Sequence, residues 1–319
     1  MENVSVVIPS YRSEKLISRT VLSILEAGVL PRNIFVIEDG VFDNTGDVLK
    51  EFPGINHISC EQNKGAPHAR NLGLSKVETK YVMFIDSDDF ISESLIIGLV
   101  NSAEKENADM AFGPWRMDGD SIPQGKLRQP PSLSSSGWVL HWLNTEYVPT
   151  CSVLWKTEKV IEIGTWDERL KNNEDGEIVV RGLMSTDNLS ISTQGYSTYW
   201  QHKSVYRVTA APIEDRIFAA NVIYTNILNW INENKSLNKY RMELGRFCYK
   251  TAWVAQAKGL ESVSDEWFSR ARKLGYKKQG YNNKTKYLSV LFGFRYAVAI
   301  HSNLLKNKSK IKKIKNNLK

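Results

Sequence analysis

From residue 4 to residue 106, short apolar runs rich in β-branched residues alternate with segments of helical periodicity, and no other feature of the 319-residue sequence restricts the fold as much. Residues 4–8, 34–37, 55–59 and 81–85 read as strands, and residues 14–26, 45–52, 67–75 and 92–106 as the helices that follow them. In the first helix Leu16, Ile17, Val21, Ile24 and Leu25 recur at helical spacing, which gives it one apolar face. Strands joined by crossover helices pair in parallel, and such a sheet is covered on both faces. The expected fold class is therefore α/β, with a mostly parallel central sheet of Rossmann-like type between two helical layers. Beyond about residue 212 the pattern turns to helices alone: Ile217, Ala220, Tyr224, Ile227 and Ile231 form one stripe, and residues 241–258 and 265–274 continue in the same manner. Three parts are expected: an α/β domain over 1–212, a helical region over 213–305 and a tail over 306–319.

In open α/β sheets ligands bind beyond the carboxyl ends of the strands, and that is where the acidic clusters fall. The fourth strand runs into Phe84-Ile85-Asp86-Ser87-Asp88-Asp89-Phe90, three carboxylates within four residues. Carboxylates so spaced converge on a hard divalent cation that in turn holds a diphosphate; Asp is equally at home in a solvated turn or helix cap. Pro9 and Tyr11 end the first strand, where an aromatic ring lies against a nucleobase or packs on the sheet rim. Asp39, after the second strand, is placed to accept from a base N–H or a ribose hydroxyl. Glu174-Asp175 opens a helical run over 178–184; acids there suit the helix dipole, and a carboxylate there also suits a general base. The stretch 119–137, rich in Pro, Ser and Gly, reads as a loop able to order over a substrate.

Taken in order, Val4-Ser5-Val6-Val7-Ile8-Pro9-Ser10-Tyr11, Val36-Ile37-Glu38-Asp39-Gly40, Asn63-x-Gly65 with Ala69-Arg70-Asn71-x-Gly73, Asp86-x-Asp88-Asp89 and Asn173-Glu174-Asp175 resemble family 2 glycosyltransferases, which share the GT-A fold. The resemblance covers about residues 3 to 210. It implies an inverting transferase that moves a sugar from a nucleotide-sugar donor to a hydroxyl of a glycan. Pro9, Tyr11, Asp39, Asn63, Gly65, Arg70, Asp86 and Asp89 would border the donor, Asp88 would ligate Mn²⁺ or Mg²⁺, and Asp175, beside Glu174, would be the catalytic base. Arg70 suits either a diphosphate or the Asp cluster, since a guanidinium grips both kinds of oxygen. His202, in Tyr199-Trp200-Gln201-His202, matches a histidine that ligates the metal in many relatives, although Trp200 stands where Arg is common. Glu38 replaces the first of two usual Asp residues. Trp155, Trp166 and Trp200 suit sugar stacking or an ordinary core.

Charge and cysteine usage complete the expectation. The net charge of +7 sits in the tail: Lys306, Lys308, Lys310, Lys312, Lys313, Lys315 and Lys319 account for it, and without these seven the 42 basic residues become 35 against 35 acidic. That distribution argues against a nucleic-acid partner. Preceded by a mostly apolar stretch at 287–305 that Arg295 and His301 interrupt, the tail reads as a device for an anionic membrane surface or as a solubilising end. Three scattered cysteines and no leader-like start suggest a cytoplasmic enzyme, peripheral at the inner membrane face, where lipid-linked acceptors for surface polysaccharide are presented. No Gln-x-x-Arg-Trp motif of processive synthases occurs, so one sugar per encounter is expected. A nucleotidyltransferase would need a Gly- and Lys-bearing phosphate loop after the first strand, which Pro9-Ser10-Tyr11-Arg12 is not. A catalytically inactive glycan- or membrane-binding module would be expected to lack Asp88 or Asp175, and both are present.

Overall fold

The computed structural model describes residues 1–120, 124–144, 146–202, 211–276, 294–295 and 297–300. The basic tail, and most of the apolar stretch before it, lie outside the described residues. In chain order the elements are β1 (Val4–Ser10), α1 (Ile17–Glu26), β2 (Ile34–Asp39), α2 (Thr45–Leu49), β3 (Asn56–Cys60), α3 (Ala66–Leu74), β4 (Tyr81–Phe84), β5 (Phe90–Ile91), α4 (Leu95–Glu106), β6 (Met110–Phe112), β7 (Trp115–Gly119), α5 (Ser135–Leu143), β8 (Val153–Lys156), α6 (Thr157–Glu162), α7 (Glu174–Ser185), β9 (Leu189–Ile191), β10 (Ser197–Gln201), α8 (Ile213–Glu233), α9 (Leu237–Ala257) and α10 (Glu261–Lys273). Each of the eight elements expected up to residue 106 is present, with ends shifted by a few residues. The first helix starts at Ile17, because residues 14–16 are spent on a turn closed by the amide of Leu16 on the carbonyl of Ser13.

The central sheet has seven strands in the order β3-β2-β1-β4-β8-β6-β9. Pairing is parallel from β3 through β4 and again between β6 and β9, while β8 runs antiparallel to both of its neighbours. The strand period of two splits β1 between the faces. Val4, Val6 and Ile8 join a core with Ile17, Val21 and Ile24 of α1 and Leu95 and Leu99 of α4. Val7 points the other way, toward α3, where a Cβ on Gly73 would stand 2.4 Å from it, so this helix packs with its backbone against the strand. Helices therefore cover both faces, and the parallel strands β1, β2 and β4 bring their carboxyl ends, at Tyr11, Asp39 and Asp86, to one edge.

A second sheet, β5-β10-β7, has no counterpart in the sequence reading. Its strand β10 pairs parallel with β7, Thr198 opposite Arg116, and antiparallel with β5, Thr198 opposite Phe90. Two residues of β5 carry too short a pattern to read, yet this pairing sets the Asp triplet beside the strand that leads to His202.

Compact units divide at residue 219/220, within α8, with residues 143–145 assigned to the second unit. In that unit Ile223, Ile227 and Ile231 of α8 are fully buried, whereas Tyr224, expected on the stripe, is half-buried and meets Trp267 edge-on at 5.5 Å. Leu244, Cys248 and Ala252 of α9 and Trp267 and Ala271 of α10 are buried too, with the Ser264 hydroxyl donating to the Ala252 carbonyl at 3.0 Å. No helix among the described residues is long and apolar enough to cross a membrane.

Candidate active site

At the end of β2 alternate side chains do different work. Asp39, 3% exposed, accepts from the backbone amides of Lys64 (2.9 Å) and Gly65 (2.7 Å), and the Gly65 amide also reaches the Asn63 side-chain oxygen at 3.1 Å. The loop before α3 is thus tied to the strand end, helped by Gly65 at φ +99°, a conformation that favours glycine. Both Asp39 oxygens keep acceptor capacity beyond these amides, since a carboxylate offers about four lone-pair sites. Glu38 faces the opposite way and is also buried: His57 Nε2 lies 2.8 Å from its Oε2, and the Ser59 hydroxyl donates to it at 3.0 Å. Its part is to brace β2 against β3. Tyr11 and Phe42 meet edge-on, centroids 5.6 Å apart.

The Asp triplet follows β4. Ligand oxygens of Asp86, Asp88 and Asp89 lie within 4.8 Å of one another, and His202 Nε2 stands 3.0 Å from Asp88 Oδ2. Asp89 is 1% exposed; its Oδ1 accepts the Trp200 amide at 2.8 Å, while its Oδ2 is buried and without a hydrogen bond. Burial, with the charges of Asp88 and Asp86 behind it, pushes the Asp89 carboxyl well above the usual range. Carboxylates crowded in this way repel one another, and three hard oxygen donors with one imidazole suit Mn²⁺ or Mg²⁺. The donor set fits the expected cation.

Arg70 of α3 is the centre of the acidic region. It is 1% exposed, with Nη2 2.6 Å from Asp86 Oδ1, and with Nη1 3.0 Å from Asp175 Oδ1 and 3.3 Å from Glu174 Oε1. Burial by itself would lower the guanidinium pKa; Asp175, Asp86 and Glu174 together outweigh it and raise it, so the group stays charged. The opposite holds for Asp175. Burial pushes its pKa up to about 7 against the pull of Arg70, with the neighbouring charges of Glu174 and Asp86 adding to the rise. A third of the Asp175 side chain is exposed, but its Oδ1 is buried, which is why desolvation dominates. Asn173, in the left-handed region at φ 54°, turns the chain so that α7 starts with both acids facing Arg70. The third acid of this turn, Glu177, goes elsewhere, pairing with Arg181 at 2.6 Å.

Several supports carried no sequence signal. Thr20 of α1 donates to the carbonyls of Ser87 (2.9 Å) and Asp89 (2.7 Å), Arg19 to that of Asp88 (2.8 Å), and the Ser13 and Ser87 hydroxyls share a 2.6 Å bond. Arg19 also lies over the rings of Phe90 and Trp200, at 4.2 and 4.3 Å. In sequence these are ordinary polar positions of an amphipathic helix. Of the three tryptophans singled out, Trp155 and Trp166 are core residues, 1% and 3% exposed, the second packed on Phe84 at 4.2 Å; only Trp200 is half-buried.

A strand-end edge carrying Tyr11 and Asp39, an acidic cluster able to hold a cation and a second acid pair joined to it by arginine are the arrangement expected of a sugar-nucleotide transferase. The model of the family described as Glycosyl transferase family 2 matches residues 5–165, half of the chain. The chain belongs to this family. It is a glycosyltransferase with a GT-A fold. It is 25% identical over 304 residues to the poly(ribitol-phosphate) beta-N-acetylglucosaminyltransferase TarP of Staphylococcus aureus, covering 90% of this chain and 84% of TarP. To the putative teichuronic acid biosynthesis glycosyltransferase TuaG of Bacillus subtilis it is 36% identical over 137 residues, 41% of this chain and 54% of TuaG. Among solved structures, S. aureus TarS 1–349 in complex with UDP-GlcNAc superposes with a TM-score of 0.60 at 17% identity, covering 88% of this chain and 93% of that one.

Proposed function

We propose that this glycosyltransferase moves a sugar, with inversion and one residue at a time, from a UDP-sugar to a hydroxyl of a surface-polysaccharide acceptor. The observation that carries this reading is the Arg70 knot: a single buried guanidinium holds Asp86 of the donor edge and Asp175 at the start of α7. In the proposed mechanism Tyr11, with Pro9, forms the base platform, Asp39 and the loop of Asn63 and Gly65 hold the nucleoside, and Asp86 and Asp89 border ribose and sugar. Asp88 and His202 would hold Mn²⁺ or Mg²⁺, which supplies positive charge for the diphosphate leaving group. Asp175 takes the acceptor proton as the acceptor oxygen attacks the anomeric carbon from the face opposite the phosphate. Its raised pKa suits this task, because a base near the working pH is both available and basic enough to move the proton. Glu174 stays on Arg70 and keeps the guanidinium from neutralising Asp175 alone. TarP and TuaG, named for poly(ribitol-phosphate) and for teichuronic acid, support a hydroxyl-rich polymer as the acceptor. We place the enzyme in the cytoplasm, at the inner membrane face through residues 306–319.

Titration with UDP and with a panel of nucleotide-sugars, with and without Mn²⁺, tests the reading. Metal-enhanced UDP binding and slow hydrolysis of one UDP-sugar are expected. A chain that binds no nucleoside diphosphate in either condition is not a transferase of this kind.

A further inference from the structure

A large apolar side chain beside a strand end ordinarily packs inward, and Phe42 does not. It is 51% exposed, and Val41 next to it 59%. Yet its ring is held. It meets the Tyr11 ring at 75°, and the Arg12 guanidinium lies over both, 5.3 Å from the Phe42 centroid and 5.6 Å from that of Tyr11. The turn before it is built to allow this. Gly40 has φ +89°, and a Cβ there would come within 2.3 Å of the Phe42 ring and 3.1 Å of the Asn63 amide nitrogen. Only a residue without a side chain lets Phe42 fold back beside Asp39.

We propose that Phe42 is the wall that sets base specificity, reading the C5–H/C6–H edge of a pyrimidine that is stacked on Tyr11 and turned with its N3–H toward Asp39. The inference rests on the nucleotide-sugar reading above and adds to it a residue and a selectivity. Two rings near a right angle form a corner, so a planar base stacked on one is edge-on to the other. The face of an aromatic ring is negative and its C–H edges positive, so the corner welcomes an edge that carries only C–H. Uracil has such an edge on the side away from N3–H. A purine brings N7, an acceptor, against the same negative face, along with the bulk of a second ring. Arg12 braces both rings through its cation–π contacts, and Asp39, already fixed by two amides, presents its remaining lone pairs to N3–H.

Calorimetric titration of the full chain with UDP and GDP in Mn²⁺ tests this in the wild type, Phe42→Ala and Phe42→Tyr. Phe42→Ala should lose roughly 3- to 10-fold in UDP affinity, the scale of one aromatic contact, and the preference for UDP over GDP should narrow. Phe42→Tyr, which keeps the ring, should stay near the wild type. Because Phe42 is half exposed, circular dichroism and melting should be unchanged, and this separates lost contact from lost fold. Wild-type binding of UDP with an unchanged Phe42→Ala affinity and UDP-to-GDP ratio overturns the wall and leaves the transferase reading standing. Absence of wild-type binding to either nucleotide removes both.

Discussion

Replacing Arg70 by methionine isolates what the acidic knot contributes. Methionine keeps much of the apolar stem and removes the charge from three carboxylates at once. Breaking a buried ion pair by deleting one partner costs about 3–5 kcal/mol, because the remaining charge is left without compensation. The three acids do not share this equally. Side chains of Asp86 and Asp175 are about a third exposed and can turn to water, while that of Glu174 is 6% exposed and cannot. The lower end, about 3 kcal/mol, is therefore expected, or roughly 6–12 °C in Tm for a unit of this size. The sign with pH follows from the same picture. Without the pull of Arg70 the Asp175 pKa, already raised to about 7, rises further above its unfolded value, so the variant holds its stability at low pH and loses more of it than the wild type as pH rises past 7. Melting of wild type and Arg70→Met in EDTA at pH 5 and pH 8 should show the larger gap at pH 8. Glu174→Gln should destabilise the wild type yet restore part of the stability of Arg70→Met. An Arg70→Met variant that melts with the wild type at pH 8, or a gap that does not change with pH, refutes the reasoning.

Asp175→Asn should retain UDP binding while transfer falls about 10²–10⁴-fold, the range for loss of a general base; near-normal turnover would move the role to another carboxylate. Since the raised pKa near 7 leaves Asp175 protonated below it, wild-type kcat/KM should climb about tenfold per pH unit up to that point and then level off, and a profile flat from pH 5 to 8 contradicts the assignment. Asp88→Asn should bind UDP more weakly and respond little to Mn²⁺, as a calorimetric titration with and without the ion would show. Anionic liposomes should retain the full chain at low salt and release it at high salt, and equal retention of a chain shortened to residue 286 excludes the tail as the anchor.

The periodic parts of the fold were legible and the short parts were not. β1, β2 and β4 are apolar runs followed by acids or turn residues, so both their existence and the functional end of the sheet can be read from sequence. β5 has two residues, and β10 reads Ser-Thr-Tyr-Trp-Gln, with no period that distinguishes it from a loop. Their pairing is a long-range event across more than a hundred residues, and local pattern holds no information on it. The same limit applies within the site. Asp86, Asp88 and Asp89 announce themselves by spacing, and Arg70 by its place in an ordered set of motifs. Arg19 and Thr20 look like any polar pair on a helix until α1 is laid against the loop that they hold. The contact of Arg70 with Asp86 fits the reading in which the guanidinium holds the Asp cluster.

That contact bears on how the site would respond to its ligands. The Asp triplet is held on its backbone by Thr20 and Arg19 from one side, by the Trp200 amide on Asp89 from another, and by Arg70 on Asp86 from a third. Each support comes from a different element, so the loop cannot relax its mutual repulsion by moving away. Repulsion that is fixed in place is relieved by protonation, as the raised pKa of Asp89 reflects, or by positive charge, which is what a cation would supply to this loop. Arg70 reaches the triplet through Asp86, and its other contacts are taken by Glu174 and Asp175. Arg19 adds its charge near Asp88 and Asp89, and in the proposed mechanism the charge for the donor diphosphate is brought by the ion rather than by either arginine.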